Sequence, residues 1–181
     1  MNELMQAWSE KRVIRLKYQS LRSKKIIDHE VSLYLIEPSP WSDSVYAVGY
    51  STRTGSITPF SLERIERASL ATSIARFKEC DPETEARLLQ YAWGIWFSNG
   101  TPQTVKLRFS GQTVVRRLRE TIWHPEEQVE AAPDGQSAIW QAPIAAWREM
   151  LPWIRGWGAD CEVLAPEGLR KALQREARRL A

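Results

Sequence analysis

The chain has 181 residues, of which 43% are hydrophobic and 26% are charged. No stretch reaches the roughly 18 apolar residues of a membrane-spanning helix, and the N-terminus lacks the basic and apolar regions of a signal peptide. Two cysteines and two histidines are too few for a disulfide scaffold or a metal cage. These counts predict a soluble cytoplasmic protein without metal, cofactor or membrane partner, long enough for one large domain or two small ones.

Charge and tryptophan content change along the chain in opposite directions. Residues 1–78 hold 12 Lys and Arg against 8 Asp and Glu, whereas residues 79–181 hold 13 against 14. Seven of the nine tryptophans lie from Trp93 onward. The two opposed gradients predict two domains, of which the first is the basic one.

The tryptophans of the second domain allow two interpretations. Trp93 and Trp96 are three residues apart on a predicted helix, and Trp147 lies at core spacing on another, so these three are expected to fill the interior. Trp153 and Trp157, four residues apart, could instead form an exposed aromatic pair. Core packing is the expectation for most of the seven.

The first part of the chain has the pattern of one helix followed by short strands. Alternating apolar and polar residues predict strands, and turn residues such as Gly55 separate them. The predicted elements are a helix over 3–11, strands over 13–18, 26–36, 45–50, 56–60 and 65–74, and a helical turn at 61–64. Five short strands after one helix predict a small, strongly bent sheet or a barrel.

The second part alternates between helical and strand patterns. Residues 76–81 have the composition of a linker, and Asp81-Pro82-Glu83 predicts the start of a helix that ends at Asn99-Gly100. The later predictions are strands over 105–109, 121–129, 136–142 and 161–164 and helices over 114–119, over 144–154 with Pro152 inside it, and from Pro166 onward. Strand-helix-strand-strand-helix-strand is the order of a ferredoxin-like sandwich. The fold class is therefore expected to be α+β.

Enzyme motifs are missing from the sequence, and no catalytic residue is assigned. There is no phosphate-binding loop, no zinc-protease motif and no nucleophile elbow. His124 lies beside Glu126 and Glu127, where a base could do acid-base work, but a structural or surface role is the stronger expectation. His29 is expected to be a solvated turn residue.

Basic and aromatic side chains coincide in the first domain. Arg15 and Lys17 alternate with apolar positions, Tyr18 and Tyr46 lie near strand ends, and Arg53 and Arg64 occupy turns that flank the fourth strand. A bent sheet that brings such groups together could stack bases and bind phosphates. Amphipathic strands also need polar outer faces, and composition alone leaves both readings open.

Residues 11–74 resemble the WYL domain of bacterial transcription regulators. The matching stretches are Arg12-Val13-Ile14-Arg15-Leu16-Lys17-Tyr18, Ile36-Glu37-Pro38, Val45-Tyr46-Ala47-Val48-Gly49-Tyr50 and Phe60-Ser61-Leu62-Glu63-Arg64-Ile65. Residues 103–173 are similar to the C-terminal extension of that family, called WCX. The stretches that match it are Val105-Lys106-Leu107-Arg108-Phe109, Trp123-His124-Pro125-Glu126-Glu127-Gln128, Pro133-Asp134-Gly135, Trp153-Ile154-Arg155-Gly156-Trp157-Gly158 and Val163-Leu164-Ala165-Pro166-Glu167-Gly168-Leu169-Arg170.

The resemblance implies three parts: a Sm-like or SH3-like five-strand β-barrel over 1–76, a linker helix over 77–100 and a ferredoxin-like α/β sandwich over 101–181. It also implies a pocket that takes a nucleotide or single-stranded nucleic acid. By position, Tyr18, Tyr46 and Arg64 match the pocket tyrosines and the arginine of the family's F-x-L-x-R-I signature. Ser51 and Arg53 are added from their location beside the third strand.

The chain departs from the family pattern in one tripeptide, at one further position and in the domain with which the sequence begins. The naming tripeptide Trp-Tyr-Leu is Val45-Tyr46-Ala47 here, and Thr58 replaces an arginine that often precedes the signature Phe60. Family members usually begin with a helix-turn-helix domain, whereas this sequence starts at the helix that enters the WYL domain. It is expected to be an excised sensor region or a standalone protein that acts through a partner.

Two hypotheses of function follow. The first is a ligand-sensing and dimerisation module of a transcription regulator, a homodimer whose family relatives serve DNA damage or phage and CRISPR defence. The second is an accessory or scaffold protein that docks protein without any ligand. An enzyme centred on His124 is the weakest reading.

Overall fold

The computed structural model describes residues 2–21, 23–41, 43–72, 76–96 and 101–180. The chain divides into two compact units, Met1–Ala86 and Arg87–Ala181. The fold is α+β, as predicted, and the described residues form two antiparallel sheets and five α-helices. Within those residues no helix has the length and apolar character needed to cross a membrane.

The first unit contains the short helix α1 and a five-stranded sheet. Its elements are α1 (Asn2–Ser9), β1 (Ile14–Gln19), β2 (Ile26–Pro38), β3 (Val45–Ser51), β4 (Ser56–Ser61) and β5 (Ile65–Leu70). A 3-10 turn, Leu62–Arg64, joins β4 to β5 where the sequence predicted a helical turn. The predicted end of β5 at Ile74 falls on residues 73–75, which lie outside the described residues.

The five strands form an open sheet, and the predicted closed barrel is wrong in this respect. The strand order is β4-β3-β2-β1-β5, with every neighbouring pair antiparallel. The edge strands β4 and β5 are linked by the 3-10 turn and share no ladder in the described chain, so their pairing does not close the sheet.

One face of this sheet carries the hydrophobic core of the first unit. Residues of β1 alternate between buried and exposed, so that Ile14, Leu16 and Tyr18 point inward. Leu4 and Ala7 of α1 pack into the same cluster. These two residues hold α1 against the sheet.

Helix α2 (Pro82–Arg87) begins where the sequence predicted a helix but is much shorter than expected. Residues 88–96 form turns, and the last four residues of the predicted helix, 97–100, lie outside the described residues. The Glu149 carboxylate accepts the backbone N–H groups of Gly94, Ile95 and Trp96. These tertiary acceptors take the place of the carbonyl partners that a continued helix would supply.

The second unit has the predicted order of strands and helices. Its elements are β6 (Gln103–Ser110), α3 (Gln112–Arg119), β7 (Gln128–Ala131), β8 (Ser137–Ile144), α4 (Leu151–Arg155), β9 (Cys161–Ala165) and α5 (Glu167–Leu180). The strand order is β7-β8-β6-β9, and all neighbours are antiparallel. A 3-10 helix, Trp147–Met150, precedes α4, so the helix predicted over 144–154 changes character shortly before Pro152.

Five indole rings form the centre of the second unit. They belong to Trp93, Trp123, Trp140, Trp153 and Trp157, and their ring centroids lie 4.7 to 5.9 Å apart in contacting pairs. Trp153 and Trp157 are 9% and 7% exposed, so the interpretation of these two as an exposed pair is wrong.

The remaining two tryptophans of this unit differ from each other. Trp147 packs partly buried against the core, in line with its predicted role. Trp96 is 52% exposed, and its predicted place in the core is wrong because the helix that would have turned it inward ends at Arg87.

Candidate functional site

A small polar cluster lies on the core face of the first sheet. His29 lies in β2, where it is 9% exposed, so the prediction of a solvated turn residue is wrong. Its Nδ1 is 3.0 Å from Oγ of Ser51, which ends β3. The imidazole stands edge-on to Phe60 at 5.0 Å and to Tyr18 at 6.2 Å between ring centroids. These four residues are called the His29 cluster.

The electrostatics of the cluster favour a neutral imidazole. Burial lowers the pKa of His29, and the positive charge of Arg53 lowers it further, while Asp28 acts in the opposite direction. A neutral imidazole has one donor and one acceptor nitrogen. His29 can therefore exchange its hydrogen bond with Ser51 for one with a ligand of either polarity.

Arg53 lies in the turn between β3 and β4, near enough to His29 for its charge to lower the pKa of the imidazole. It lines an open groove of about 360 Å³ together with Arg15, Asp28, Glu30 and Thr52, of which Asp28 and Glu30 lie on the face of β2 opposite to His29. Arg15 is paired with Glu30 at 3.2 Å. Within the described residues Arg53 has no ion pair, so its guanidinium is available to an anion.

Arg64 lines a different groove. That groove, of about 520 Å³, lies beside the turn between β1 and β2 and includes Ser20, Ser23, Lys24 and Glu66. It shares no lining residue with the groove of Arg53. Serine hydroxyls and two cations could contact phosphate oxygens there.

Tyr46 lies on the other face of the sheet from the His29 cluster. It is at the start of β3, whereas Ser51 is at its end, and an odd separation places the two side chains on opposite faces. The structure thus brings Tyr18, Ser51 and Arg53 together around His29 and leaves Tyr46 and Arg64 outside that cluster.

The sequence analysis missed His29 and Phe60 as members of the cluster. The signal for His29 was present, because it alternates with Val31 on the apolar side of β2 while Asp28 and Glu30 alternate on the other side. Phe60 carried no polar signal and was noted only as part of a family motif.

His124 has the geometry of a structural residue. It is 2% exposed, its Nδ1 accepts the backbone N–H of Glu126 at 3.1 Å, and its Nε2 has no hydrogen-bond partner among the described atoms. Burial lowers its pKa, and the carboxylates of Glu126 and Glu127 oppose that shift. No group of three potential metal ligands occurs in the part of the chain that is described.

The sequence matches two domain families. The WYL domain matches residues 1–70, and the WCX domain matches residues 101–181. No curated protein matches the chain significantly.

Solved structures are also similar to the chain, among them the following two. One is proteasome accessory factor B/C (PafBC) of Arthrobacter aurescens, with 18% identity, a TM-score of 0.37, and coverage of 93% of this chain and 24% of that chain. The other is a CRISPR Cas-related protein, with 15% identity, a TM-score of 0.62, and coverage of 96% of this chain and 48% of that chain. This chain spans less than half the length of either structure, and the second match shows a shared fold.

The two domain matches and the two-unit fold agree in their order along the chain. The WYL match covers the five-stranded sheet, and the WCX match covers the four-stranded sheet with its helices. The chain belongs to the WYL-domain regulator family, as a WYL domain followed by a WCX domain.

Proposed function

We propose that the chain is the ligand-sensing module of a WYL-type transcription regulator, and that its WYL domain binds a nucleotide or single-stranded nucleic acid. The observation that carries this proposal is Arg53, a cation without an ion pair among the described residues, which lines an open groove and whose charge lowers the pKa of His29. A base would meet the Tyr18 and His29 side of the site, and a phosphate would pair with Arg53.

Arg64 would provide a second contact for a ligand longer than one nucleotide. Its groove offers hydroxyl groups and Lys24, which are suited to backbone phosphates rather than to bases. Ligands of more than one nucleotide would therefore gain affinity from Arg64, whereas a mononucleotide at Arg53 would not. Tyr46, on the outer face of the sheet, is kept as a proposed ligand contact because it matches the family motif.

The finer architecture and assembly belong to the same proposal. A Sm-like WYL domain over 1–76 and a ferredoxin-like WCX domain over 101–181, joined by 77–100, are supported by the strand orders of the two sheets. The module acts as a homodimer and passes occupancy to a helix-turn-helix domain or a partner protein. A role in DNA-damage response or in phage and CRISPR defence rests on the family alone.

Fluorescence anisotropy with labelled single-stranded DNA and RNA tests the proposed site. Arg53→Ala is expected to weaken binding by about tenfold or more, since a charged hydrogen bond to phosphate is lost. Arg64→Ala should weaken binding of an oligonucleotide and leave a mononucleotide unaffected. Arg119→Ala, an exposed arginine of α3, is the matched control and should bind like wild type.

Salt dependence separates the phosphate mechanism from other modes of binding. Affinity should fall as salt rises, and the slope should be smaller in Arg53→Ala because fewer counterions are released. Unchanged affinity in both arginine variants would refute the assigned site. A stable dimer by light scattering with no affinity for any nucleic acid would favour the accessory or scaffold function instead.

A further inference from the structure

Residues 77–80, predicted as part of a linker, lie against the outer face of the WYL sheet and are called the strap. The backbone N–H of Lys78 donates to Oγ of Ser32 at 2.9 Å, and the Tyr34 hydroxyl donates to the carbonyl of Lys78 at 2.9 Å. The Phe77 ring stands edge-on to Tyr34 at 6.1 Å. The strap is therefore bound to two alternating positions of β2.

The side chain of Lys78 makes a further contact, with β3. Its ammonium lies 3.7 Å from the ring centroid of Tyr50, a cation–π geometry. Glu79 also pairs with Lys11 at 3.0 Å, but both side chains are 65% exposed, so that pair holds the strap weakly. The Lys78 contacts with Ser32, Tyr34 and Tyr50 are the main anchor.

The anchor and the His29 cluster use adjacent residues of the same two strands. Ser32 pairs with Tyr50, and the neighbouring pair is Val31 with Ser51. Successive residues of a strand point to opposite faces, so Ser51 meets His29 on the inner face while Tyr50 meets Lys78 on the outer face.

The backbones of β2 and β3 are in unusually close contact at this level. A Cβ atom built on Gly49 would lie 2.2 Å from the carbonyl oxygen of Ser32 and 2.9 Å from Cα of Leu33. A side chain at position 49 would thus collide with the backbone of Ser32, and because the two strands pack this closely we expect a displacement of β3 to move Ser32, which holds the strap.

We propose that the strap reports occupancy of the His29 cluster: a ligand that competes for the His29–Ser51 hydrogen bond shifts β3 and releases Lys78 from Tyr50 and Ser32. The inference rests on the proposed function, since it takes the same ligand site. The strap belongs to the segment that leads from the WYL domain to the WCX domain in sequence, so its release is the first step of the signal.

Thiol labelling of Cys80, the last residue of the strap, measures its release. Burial raises the pKa of Cys80, as do the nearby charges of Glu85 and Asp81, so release should speed its reaction. Cys161→Ala leaves Cys80 as the one thiol of the sequence. In that background Lys78→Met should label roughly two- to fivefold faster, the range that a cation–π contact implies.

Lys25→Met is the matched control, because it removes the same charge from an exposed turn. The side chain of Lys25 makes no hydrogen bond or ion pair in the described structure. Tyr34→Phe removes the hydroxyl donor while keeping the ring, and it should also accelerate labelling. Equal rates in wild type, Lys78→Met and Tyr34→Phe would overturn the anchor.

Ser51→Ala tests the coupling without any ligand. It removes the hydrogen bond between Ser51 and His29 and should accelerate Cys80 labelling. Ser61→Ala is the control: Ser61 is also buried and donates a hydrogen bond to Glu63, but its replacement should leave the labelling rate unchanged. An unchanged rate in Ser51→Ala, or equal acceleration in both serine variants, would overturn the coupling. Thermal unfolding of each variant verifies that it is folded.

Addition of single-stranded oligothymidylate to wild type completes the test. Binding accompanied by faster Cys80 labelling is the expected result, and binding without a change in rate would overturn the proposed readout. If the oligonucleotide does not bind, the proposed function fails while the Ser51→Ala result still decides the coupling. The affinity of Lys78→Met for the oligonucleotide should also rise, by at most the roughly two- to fivefold by which the substitution itself promotes release.

Discussion

Glu127 accepts a hydrogen bond of 2.7 Å from the indole nitrogen of Trp140. The same carboxylate oxygen accepts the backbone N–H groups of Trp123 and His124, at 2.9 and 3.2 Å. One side chain thus ties the turn before β7 to the centre of the WCX core. The residues that raised the question of acid-base chemistry around His124 are explained by this structural role.

Replacing Glu127 with Gln should destabilise the WCX domain by about 1–3 kcal/mol, since an acceptor for three donors loses its charge. The measurement is urea unfolding followed by tryptophan fluorescence, to which this domain contributes most of the indoles. Glu126→Gln is the control, because the exposed Glu126 carboxylate accepts a single hydrogen bond among the described residues, from the side chain of Gln90. A cost for Glu126→Gln as large as for Glu127→Gln would contradict the assigned role.

Two neighbouring tryptophans should respond differently to replacement by phenylalanine. The indole N–H of Trp140 is bonded to Glu127, whereas that of Trp153 is buried and has no acceptor among the described atoms. Trp140→Phe should therefore cost roughly 1–3 kcal/mol more than Trp153→Phe, because it leaves Glu127 short of a donor. Chemical denaturation of the two variants gives the comparison, and equal costs would show that ring volume alone decides stability here.

Much of the WYL sheet was predictable because its strands are amphipathic and separated by turn residues. The alternation in β1, for instance, appears in the structure with the predicted faces. Whether the sheet is open or closed was not predictable from periodicity, since closure depends on whether the edge strands β4 and β5 pair. The length of the helix that begins at Pro82 was overestimated. The local pattern carries no information about Glu149, more than fifty residues away, whose carboxylate binds the backbone of the residues after the helix and holds them in a turn.

The candidate site was predictable in part for the same reason. Ser51 and Arg53 were chosen from their location beside β3 and Tyr18 from its family match, and these residues converge around His29. Tyr46 was chosen for its family motif, and strand alternation places it on the other face. The strap was unpredictable, because its anchors are single hydrogen bonds between segments more than forty residues apart.

The stability of the WCX domain should fall in acid because of His124. Burial lowers its pKa in the folded state, so the unfolded state, with a pKa near 6.5, binds the proton more tightly. The stability from neutral His124 is fully present above about pH 6.5 and is lost as the pH falls through the folded-state pKa.

His124→Asn removes this titration while its amide oxygen can still accept the N–H of Glu126. The free energy of unfolding of the variant should vary less than that of wild type between about pH 8 and pH 5. Parallel pH profiles would indicate that other groups dominate.

Two glycines of the WYL domain should differ sharply in their tolerance of substitution. Gly49→Ala places a Cβ against the backbone of Ser32, which has no flexible end to yield, and should cost about 2–3 kcal/mol or more. Gly55 has a φ of +66° and open space around its Cβ position, and Asn tolerates that conformation. Gly55→Asn should therefore stay within about 0.5 kcal/mol of wild type.

Thermal unfolding of the two variants, followed by circular dichroism, measures this difference. Gly49→Ala should also accelerate the labelling of Cys80, because the displaced Ser32 is the residue that accepts the Lys78 N–H. Gly55→Asn should label like wild type. A stable Gly49→Ala variant would mean that β2 and β3 can separate at Ser32 without cost, which would contradict the proposed coupling of the His29 cluster to the strap through these two strands.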